Sequence, residues 1–543
     1  MANNKVSNFL EIAFIIVFAS IPMLFTLPYR VNIFLSWEGA YRMSIGQVPF
    51  RDFGLPLGGM YWVIPAIFFK IFGPQMITLI KAQVFINIIS GLAFRSILKS
   101  LGVSNVVRRS GILLYCLSFS FLNFWPWYNH TVIVYAFVGL AFILNVVLSD
   151  NIKHAVLKCV LGAVFTIFTF FTKQDGGGLI FLICAILLLY NAWIDKKWKL
   201  FLVYNGAVVF LLFLSVLIFS NYDFGYWFNH GQPPHNARFA MSDVADKFFG
   251  ESDWLKFYFF IVIILSIGKF RDFKSLVQNK RECVFLLLTL GILCMATIFQ
   301  ITSYTPETGN IFFHSFAFVF ILSNISGLLP VSLNRPVAAL ILGVGICMWW
   351  SSLFWSYMQR IFIKNTNVEG KIQYSPTGEN VVGMHNSRLN NNDGADVAAL
   401  QGGWLNSKLK TLRKIKIPEQ TAKGMDRLLD MPAIKSKKDS RILNMSELTF
   451  LAAEIPYTPE AGPKFPLWYH LGVGMFNREA MMFEDRIAKN YYDIVLFEYI
   501  PTLNNFYPFR VRDSLMTHYQ KIDSFPAPRS TNPGIIEVYI KNP

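Results

Sequence analysis

Two carboxylates and two arginines lie close together soon after the first apolar block of the chain. Glu38, Arg42, Arg51 and Asp52 fall within the segment SWEGAYRMSIGQVPFRDFGLPLGGMYW. A carboxylate can remove the proton of a hydroxyl group, and a guanidinium can hold a phosphate through paired hydrogen bonds. These residue types therefore allow a group to be transferred from a phosphate to a hydroxyl. The alternative is an amphipathic interfacial helix whose charged side chains only face water.

The elements that must position these residues are membrane helices. Of the 543 residues, 54% are hydrophobic and 15% are charged, whereas about a quarter of an average soluble domain is charged. The apolar residues come in blocks of about twenty, the length that a helix needs to cross the hydrocarbon core. About eleven membrane-spanning helices are predicted, at residues 10–28, 77–98, 108–124, 131–149, 155–172, 177–194, 200–220, 256–269, 283–301, 311–330 and 336–358.

Loop charge predicts the side of the membrane on which each loop lies. With eleven spans, Lys and Arg cluster in the loops on the side of the N-terminus, and such clusters mark the cytoplasmic side. The apolar segment 58–73 decides the parity, because it is short and contains Pro65 and Lys70. We expect it to lie in the outer interface without crossing. The first outer loop, residues 29–76, and the C-terminal tail are then both outside.

The tail differs in composition from the rest of the chain. A polar stretch follows residue 360, and strand patterns come later in YDIVLFEYI and GIIEVYIKN. The predicted fold class is an α-helical polytopic membrane protein, residues 1–360, with a C-terminal soluble α/β domain, residues 361–543. We expect this domain to cover a cavity at the outer face of the membrane part, where exposed aromatic residues could stack on a substrate. Core packing is the alternative role of those rings, which are Trp468, Tyr469, Phe506 and Tyr507.

Charge and cysteine content exclude several classes of protein. The formal net charge of +16 lies largely in short loops between apolar blocks, which is a topology signal and not a stripe that follows nucleic-acid phosphates. The six cysteines fall within or beside apolar blocks without metal-site spacing, so neither disulfides nor a thiolate metal site is predicted. The first apolar block, Ile12 to Leu27, has no small-residue cleavage site behind it and is predicted to be a retained helix.

The first outer loop also carries a family pattern. The sequence E-G-A-Y, then G-Q-V-P-F-R-D-F, then a Pro/Gly turn and an aromatic amphipathic helix resembles the GT-C superfamily of membrane glycosyltransferases. Its members include protein mannosyltransferases and lipid A aminoarabinose transferases. The resemblance implies a GT-C-like membrane domain in which an acid of this loop is the catalytic base, and a sugar that arrives on a polyprenyl phosphate. Glu38 occupies the place of that acid. The commonest family version has two consecutive acids, whereas Trp37 precedes Glu38 here, so the base is either Glu38 or Asp52.

Two later outer loops carry further polar residues. Asn129 and His130 follow an aromatic pair, which alone would indicate an interfacial belt, and they could hold sugar hydroxyls. In FTKQDGGG, Lys173 could be a point charge for the carrier phosphate, with Gln174 and Asp175 beside the sugar. The alternative for this second group is a Lys–Asp pair that closes a short turn.

The loop from residue 221 to residue 254 holds Tyr222 and Asp223, which we expect near the sugar or its acceptor. His230 and His235 have a spacing that a metal could use, but a histidine pair in a loop is more often not a ligand pair. No metal and no other cofactor is predicted. Tyr304 and Glu307, in the last outer loop, are weaker candidates.

The expected function is glycosyl transfer at the outer face of a bacterial inner membrane, with the C-terminal domain on the periplasmic side. A polyprenyl-phosphate-linked sugar is the expected donor, and a glycan, a lipid or a protein is the expected acceptor. Arg51, Lys173 and Arg42 would hold the donor phosphate. The alternative is a transporter or flippase of lipid-linked saccharides, which would need charged residues and broken helices at mid-membrane. No nucleic-acid partner is expected.

Overall fold

A computed structural model shows how the chain folds. It describes residues 2–30, 33–54, 58–120, 124–149, 153–222, 241–303, 310–327, 332–333, 335–361, 403–435, 440–455, 457–462, 465–467, 477–500, 507–528 and 534–542. Helices dominate up to residue 361, and strands appear mainly after residue 403. The predicted fold class, a helical polytopic membrane protein with a C-terminal α/β region, is confirmed.

The helices of the membrane part follow the apolar blocks. They are α1 (Ala2–Ser20), α2 (Ile33–Ser44), α3 (Val63–Phe72), α4 (Met76–Ser100), α5 (Asn105–Leu117), α6 (Tyr128–Leu148), α7 (Ala155–Phe170), α8 (Gln174–Asp195), α9 (Trp198–Phe219), α10 (Met241–Asp246), α11 (Asp253–Phe270), α12 (Phe273–Gln278), α13 (Lys280–Ser303), α14 (Ile311–Ile325), α15 (Pro336–Trp350) and α16 (Ser352–Ile361). Each of the predicted spans overlaps at least one of these helices, and the span 336–358 overlaps both α15 and α16. Among the described residues, five helices are both long and apolar enough to cross a membrane, namely α4, α6, α8, α9 and α13.

The segment that decides the parity forms a short helix. Helix α3 has 10 residues, and at about 1.5 Å per residue it covers roughly half of the hydrocarbon thickness. It ends at Gly73, whose φ of 84° is readily adopted only by glycine. A helix of this length agrees with a segment that does not cross the membrane.

The chain folds into two compact units. The first unit contains residues 1–22, 83–217 and 237–355, and the second contains residues 23–82, 218–236 and 356–543. The sequence-based division placed the whole of residues 1–360 in one membrane domain. The structure instead groups the first outer loop with the tail.

The first unit is a helical bundle in which α6 packs on α7 and α8, and α5 packs on α14 and α15. A buried carboxylate joins three of its helices. Glu11 of α1 accepts from Arg95 Nε of α4 at 2.8 Å and from Arg108 Nη2 of α5 at 2.8 Å, with its side chain 2% exposed. A buried carboxylate is stable only when it is paired and hydrogen-bonded, so these arginines hold α1 in place.

The second unit contains two sheets. The strands are β1 (Leu27–Pro28), β2 (Trp404–Asn406), β3 (Ile415–Pro418), β4 (Ile442–Met445), β5 (Ile494–Tyr499), β6 (Tyr519–Pro526) and β7 (Ile535–Lys541), and the helices of the tail are α17 (Glu419–Asp430), α18 (Pro432–Lys435), α19 (Asn477–Ala488) and α20 (Phe509–His518). The four-stranded sheet has the order β4-β5-β7-β6. Strand β5, the apolar run of YDIVLFEYI, lies in its interior, parallel to β4 and antiparallel to β7.

The smaller sheet joins two distant parts of the sequence. Its order is β1-β3-β2, and Leu27 pairs with Ile415 in a parallel ladder. The backbone N–H of Met76 also donates to the carbonyl of Thr411, at 2.8 Å. Because segments that share a sheet must lie on the same side of a membrane, the first outer loop and the tail lie on one side. This agrees with an odd number of crossings between the N-terminus and the tail.

This pairing makes a prediction about accessibility. In a variant without the six native cysteines, cysteines placed at Ile45 and at Lys408 should react together with a membrane-impermeant maleimide added to one side. A cysteine at Lys197, between α8 and α9 and five predicted spans later, should react only from the other side. Mass-spectrometric counting of labelled sites in oriented vesicles measures this. Labelling of Lys197→Cys together with Ile45→Cys from one side would contradict the predicted crossings.

Candidate functional site

Helix α2 brings Glu38 and Arg42 together, because residues four apart lie on the same face of a helix. Arg42 donates to Glu38 Oε1 from Nε at 3.0 Å and from Nη2 at 2.9 Å. The side chain of Arg42 is 3% exposed and that of Glu38 is 14% exposed. Among the described residues, Arg42 is the one that bonds to Glu38, and it uses a single carboxylate oxygen.

The remaining contacts of Arg42 are also within the second unit. Its Nη1 donates to Gln47 Oε1 at 2.9 Å and to the backbone carbonyl of Glu460 at 2.7 Å. The guanidinium lies over two rings, with centroids at 5.6 Å for Phe53 and 5.2 Å for Phe465. The donors of Arg42 are thus engaged by the protein itself. Its predicted contact with the donor phosphate would have to replace these partners.

The second carboxylate of the loop, Asp52, closes a turn. It accepts from the backbone N–H of Val48 at 2.7 Å and from Arg51 Nη2 at 2.6 Å. The side chain of Arg51 is 47% exposed, so its charge can still reach a phosphate from outside. Tyr222, from the loop after α9, lies beside Arg51 and interacts with its guanidinium. Tyr222, which the sequence analysis placed near the sugar or its acceptor, is therefore close to the Arg51–Asp52 pair.

The two carboxylates differ in their affinity for a proton. Burial raises the pKa of Glu38, and the charge and hydrogen bonds of Arg42 only partly oppose this. The pKa of Asp52 is instead lowered, chiefly by its hydrogen bond from Arg51 and also by the backbone N–H of Val48. A base with a raised pKa accepts a proton more readily in a transition state. The environment therefore favours Glu38 over Asp52 as the general base.

Glu38 faces a cavity of about 30 Å³ between α2 and the tail segments of the same unit. Its lining includes the polar residues Glu38, Tyr41, Arg42, Asn444, Ser446, Thr449, Tyr457, Glu460 and Tyr507. A cavity of this volume admits a water-sized group such as a hydroxyl.

Glu460 is a site residue that the sequence prediction did not include. Burial raises the pKa of its carboxyl group. Tyr492 donates its hydroxyl to Glu460 Oε2 at 2.8 Å, and Arg486 Nη1 bonds to Oε1. Glu460 lies in the stretch PEAGPKFP, which has neither helical nor strand periodicity. No local sequence pattern marks Glu460, because its partners are distant in sequence. Tyr492 precedes β5, Arg486 belongs to α19, and Arg42 belongs to the first outer loop.

In the first unit, Lys173 and Asp175 form an ion pair at the start of α8. Lys173 Nζ lies 3.0 Å from Asp175 Oδ2 and donates to Thr302 Oγ1 at 3.0 Å. Thr302 also bonds to Asp175 Oδ2, and Lys173 Nζ lies 4.8 Å from the centroid of the Phe299 ring. The pair therefore ties the start of α8 to the end of α13, as a turn-closing pair would. Gln174 is the first residue of α8.

Asn129 and His130 lie in the first turn of α6 and are buried. His130 Nδ1 lies 2.8 Å from Gln83 Nε2, which also donates to Asn87 Oδ1 at 2.8 Å. These contacts form a polar strip between α4 and α6. The sugar-binding roles of Asn129, His130, Gln174 and Asp175 stay predictions.

Several predicted residues lie outside the described part of the chain. They are Asp223, His230, His235, Tyr304, Glu307, Trp468, Tyr469 and Phe506. Within the described ranges, no group of three or more His, Cys, Asp or Glu side chains could hold a metal ion. Tyr507 is described, and it is a buried residue that lines the cavity beside Glu38.

No family model matches the sequence, and no curated protein sequence matches it. Structural comparison aligns 99% of this chain with 98% of ArnT from Cupriavidus metallidurans in the apo state, at 12% identity and a TM-score of 0.43. The same protein bound to undecaprenyl phosphate aligns over 99% of this chain and 98% of its own, at 12% identity and a TM-score of 0.44. An Archaeoglobus fulgidus oligosaccharyltransferase, in complex with Zn and sulfate, aligns over 98% of this chain and 73% of its own, at 9% identity and a TM-score of 0.43.

The packing that positions α2 makes a prediction. Gly39 lies against the indole of Trp62, and a Cβ atom there would overlap that ring. Trp62 is buried and donates to the carbonyl of Leu35 at 3.1 Å, so it cannot move away without losing this bond. We expect Gly39→Ala to destabilise the protein by about 1–3 kcal/mol, the usual cost of overpacking, and to lower the melting temperature in detergent.

The matched control is Gly178→Ala in α8, where no atom lies within 4 Å of the added Cβ. Alanine favours a helix over glycine by up to about 1 kcal/mol, so this variant should melt at or above the wild-type temperature. Equal melting temperatures for the two variants would show that α2 does not depend on its contact with Trp62.

Proposed function

We propose that the protein is a membrane glycosyltransferase that moves a sugar from a polyprenyl-phosphate-linked donor to a hydroxyl-bearing acceptor. Glu38 is the general base that takes the proton of the acceptor. The attacking oxygen forms the new glycosidic bond as the bond between the sugar and the phosphate breaks, and the polyprenyl phosphate leaves with the electron pair.

The observation that carries this proposal is the environment of Glu38. Its carboxylate is largely buried, faces a cavity that accommodates a hydroxyl group, and is held through one oxygen by Arg42. Burial raises its pKa, which suits a base that must accept a proton during the reaction. The resemblance of the first outer loop to the GT-C pattern is compatible with Glu38 or Asp52 as the catalytic acid, and the environment of Glu38 favours the former.

The donor phosphate is stabilised by Arg51, which is more exposed than Arg42. Arg51 is half-exposed beside Asp52, whereas the donors of Arg42 are engaged by Glu38, Gln47 and a backbone carbonyl. A cation that is already in place stabilises a leaving phosphate as its charge develops. We therefore assign the phosphate to Arg51 within the second unit. The phosphate-binding role of Lys173 stays a prediction, because its ammonium group is engaged by Asp175 and Thr302.

The proposed location is the outer face of a bacterial inner membrane. Lys and Arg concentrate in the loops predicted on the cytoplasmic side, and this supports a periplasmic position for the first outer loop and the tail. Because nucleotide sugars are absent from that compartment, a lipid-linked sugar is the simplest donor.

The test of the general base uses the full-length protein in nanodiscs. Glu38→Gln should lower turnover by at least about a hundredfold, the usual scale for loss of a general base. Donor affinity should change far less, because the carboxylate acts on the acceptor. Release of polyprenyl phosphate from a panel of polyprenyl-phosphate-linked hexoses and pentoses, with envelope lipids and glycans as acceptors, measures both quantities.

Asp52→Asn is the matched comparison, since it removes a carboxylate from the same loop. Its side-chain oxygen can still accept from Val48, so turnover should fall between those of the wild type and Glu38→Gln. An inactive Asp52→Asn beside a nearly normal Glu38→Gln would transfer the role of base to Asp52. Movement of the intact lipid-linked sugar across the membrane, without release of polyprenyl phosphate, would indicate a flippase.

A further inference from the structure

We infer that Arg42 is a positioning residue through which the C-terminal part of the chain holds Glu38 in place as a general base. The inference rests on the proposed function, because it concerns the residue that acts as the base there. It gives the tail a part in the reaction step itself, in addition to any contact with the acceptor.

The first step is the bonding of the guanidinium. Nε and Nη2 of Arg42 both donate to Glu38 Oε1, at 3.0 Å and 2.9 Å. Nη1 donates to Gln47 Oε1 and to the backbone carbonyl of Glu460. Because a guanidinium is planar and rigid, the acceptors on Nη1 set the direction in which Nε and Nη2 point. The position of the Glu460 carbonyl therefore fixes the plane in which Glu38 Oε1 is held.

The second step is the anchoring of the segment around Glu460. Gln47 Nε2 donates to the carbonyl of Pro459 at 2.8 Å, so two neighbouring tail carbonyls accept from the first outer loop. The carboxylate of Glu460 is bound by Tyr492 and Arg486. These tail residues restrain the carbonyl to which Arg42 donates. A chain of direct contacts thus runs from the tail sheet to Glu38.

The third step is the enclosure of the guanidinium by two rings. One ring, Phe53, belongs to the first outer loop, and the other, Phe465, belongs to the tail. The two segments that carry these rings are joined by a backbone hydrogen bond, in which the N–H of Gly54 donates to the carbonyl of Phe465 at 2.7 Å. Shielding from water strengthens the attraction between Arg42 and Glu38.

The electrostatic consequence has a definite sign. Tyr41, Arg42, Tyr457 and Glu460 share the cavity with Glu38, and Arg42 is the cation that opposes the effect of burial on the pKa of Glu38. Without that cation, burial alone would act, and the pKa of Glu38 would rise further. The base would then be protonated at pH values where the wild-type base is ionised. The acid limb of the pH–rate profile should move to higher pH.

The experiment compares two arginine variants in the full-length protein. In Arg42→Gln, the acid limb of kcat/KM should move up by about one pH unit, the lower end of the effect of an adjacent opposite charge. In Arg486→Gln, which removes one of the two bonds to the Glu460 carboxylate and keeps Arg42, the acid limb should move in the same direction by less. The KM for the lipid-linked donor should stay within about threefold of the wild-type value in both variants.

Arg512→Gln is the matched control. Arg512 pairs with Glu537 at 2.7 Å in the tail sheet and is 22% exposed, compared with 31% for Arg486. Loss of this pair should lower the melting temperature without moving the acid limb. A shift in Arg512→Gln equal to that in Arg486→Gln would overturn the inference, since any destabilised tail would then have the same effect. A large rise in the donor KM of Arg42→Gln with an unmoved acid limb would also overturn it and assign Arg42 to the phosphate.

A second readout needs no substrate and separates this inference from the proposed function. A hydrophobic carbodiimide reacts with a protonated carboxyl group, and peptide mass spectrometry gives the fraction of Glu38 that is modified at each pH. The midpoint should move up in Arg42→Gln and stay in place in Arg512→Gln. A wild type that transfers no sugar from any donor of the panel refutes the proposed function. An unmoved midpoint in Arg42→Gln refutes the positioning role whatever the activity.

Discussion

A guanidinium that is 3% exposed must find its acceptors within the protein, because an unpaired buried charge costs far more than the fold can supply. Arg42 finds them in Glu38, Gln47 and a backbone carbonyl of the tail. The first outer loop alone supplies only two of these partners. The buried charge is therefore stable only when the tail is folded against the loop, and the cavity beside Glu38 exists under the same condition.

This requirement explains why the second unit is discontinuous in sequence. Residues 23–82 and 356–543 belong to one compact unit although a long helical part of the chain separates them. Closure of a long loop costs only slightly more entropy than closure of a shorter one, so the intervening helices are no obstacle once the contacts are favourable. Strands β1 and β3, the paired backbones at Gly54 and Phe465, and the bonds of Arg42 provide those contacts.

The second unit gives different environments to Glu38 and Asp52, two carboxylates that are fourteen positions apart in sequence. Asp52 caps a backbone N–H and pairs with an exposed arginine, which lowers its pKa and makes it part of the turn. Glu38 is largely buried, is bound by Arg42 through one carboxylate oxygen and lines a small cavity. Environment, more than residue type, thus distinguishes the candidate base from a structural acid, as in other pairs of acids whose surroundings push their pKa values apart.

The membrane helices and the strands of the tail could be predicted from the sequence, because both depend on local patterns. An apolar block of about twenty residues indicates a helix long enough to span a membrane, and the apolar run at Ile494–Tyr499 became an interior strand as expected. A local motif in the sequence also singled out Glu38 as a candidate base, and that role stays a prediction. Other features could not be predicted from the sequence. They are the contacts among Glu460, Arg486 and Tyr492, the two-residue strand at Leu27–Pro28, and the difference in environment between Glu38 and Asp52. These depend on which distant groups bury one another, and burial is a property of the folded chain that no short stretch of sequence encodes.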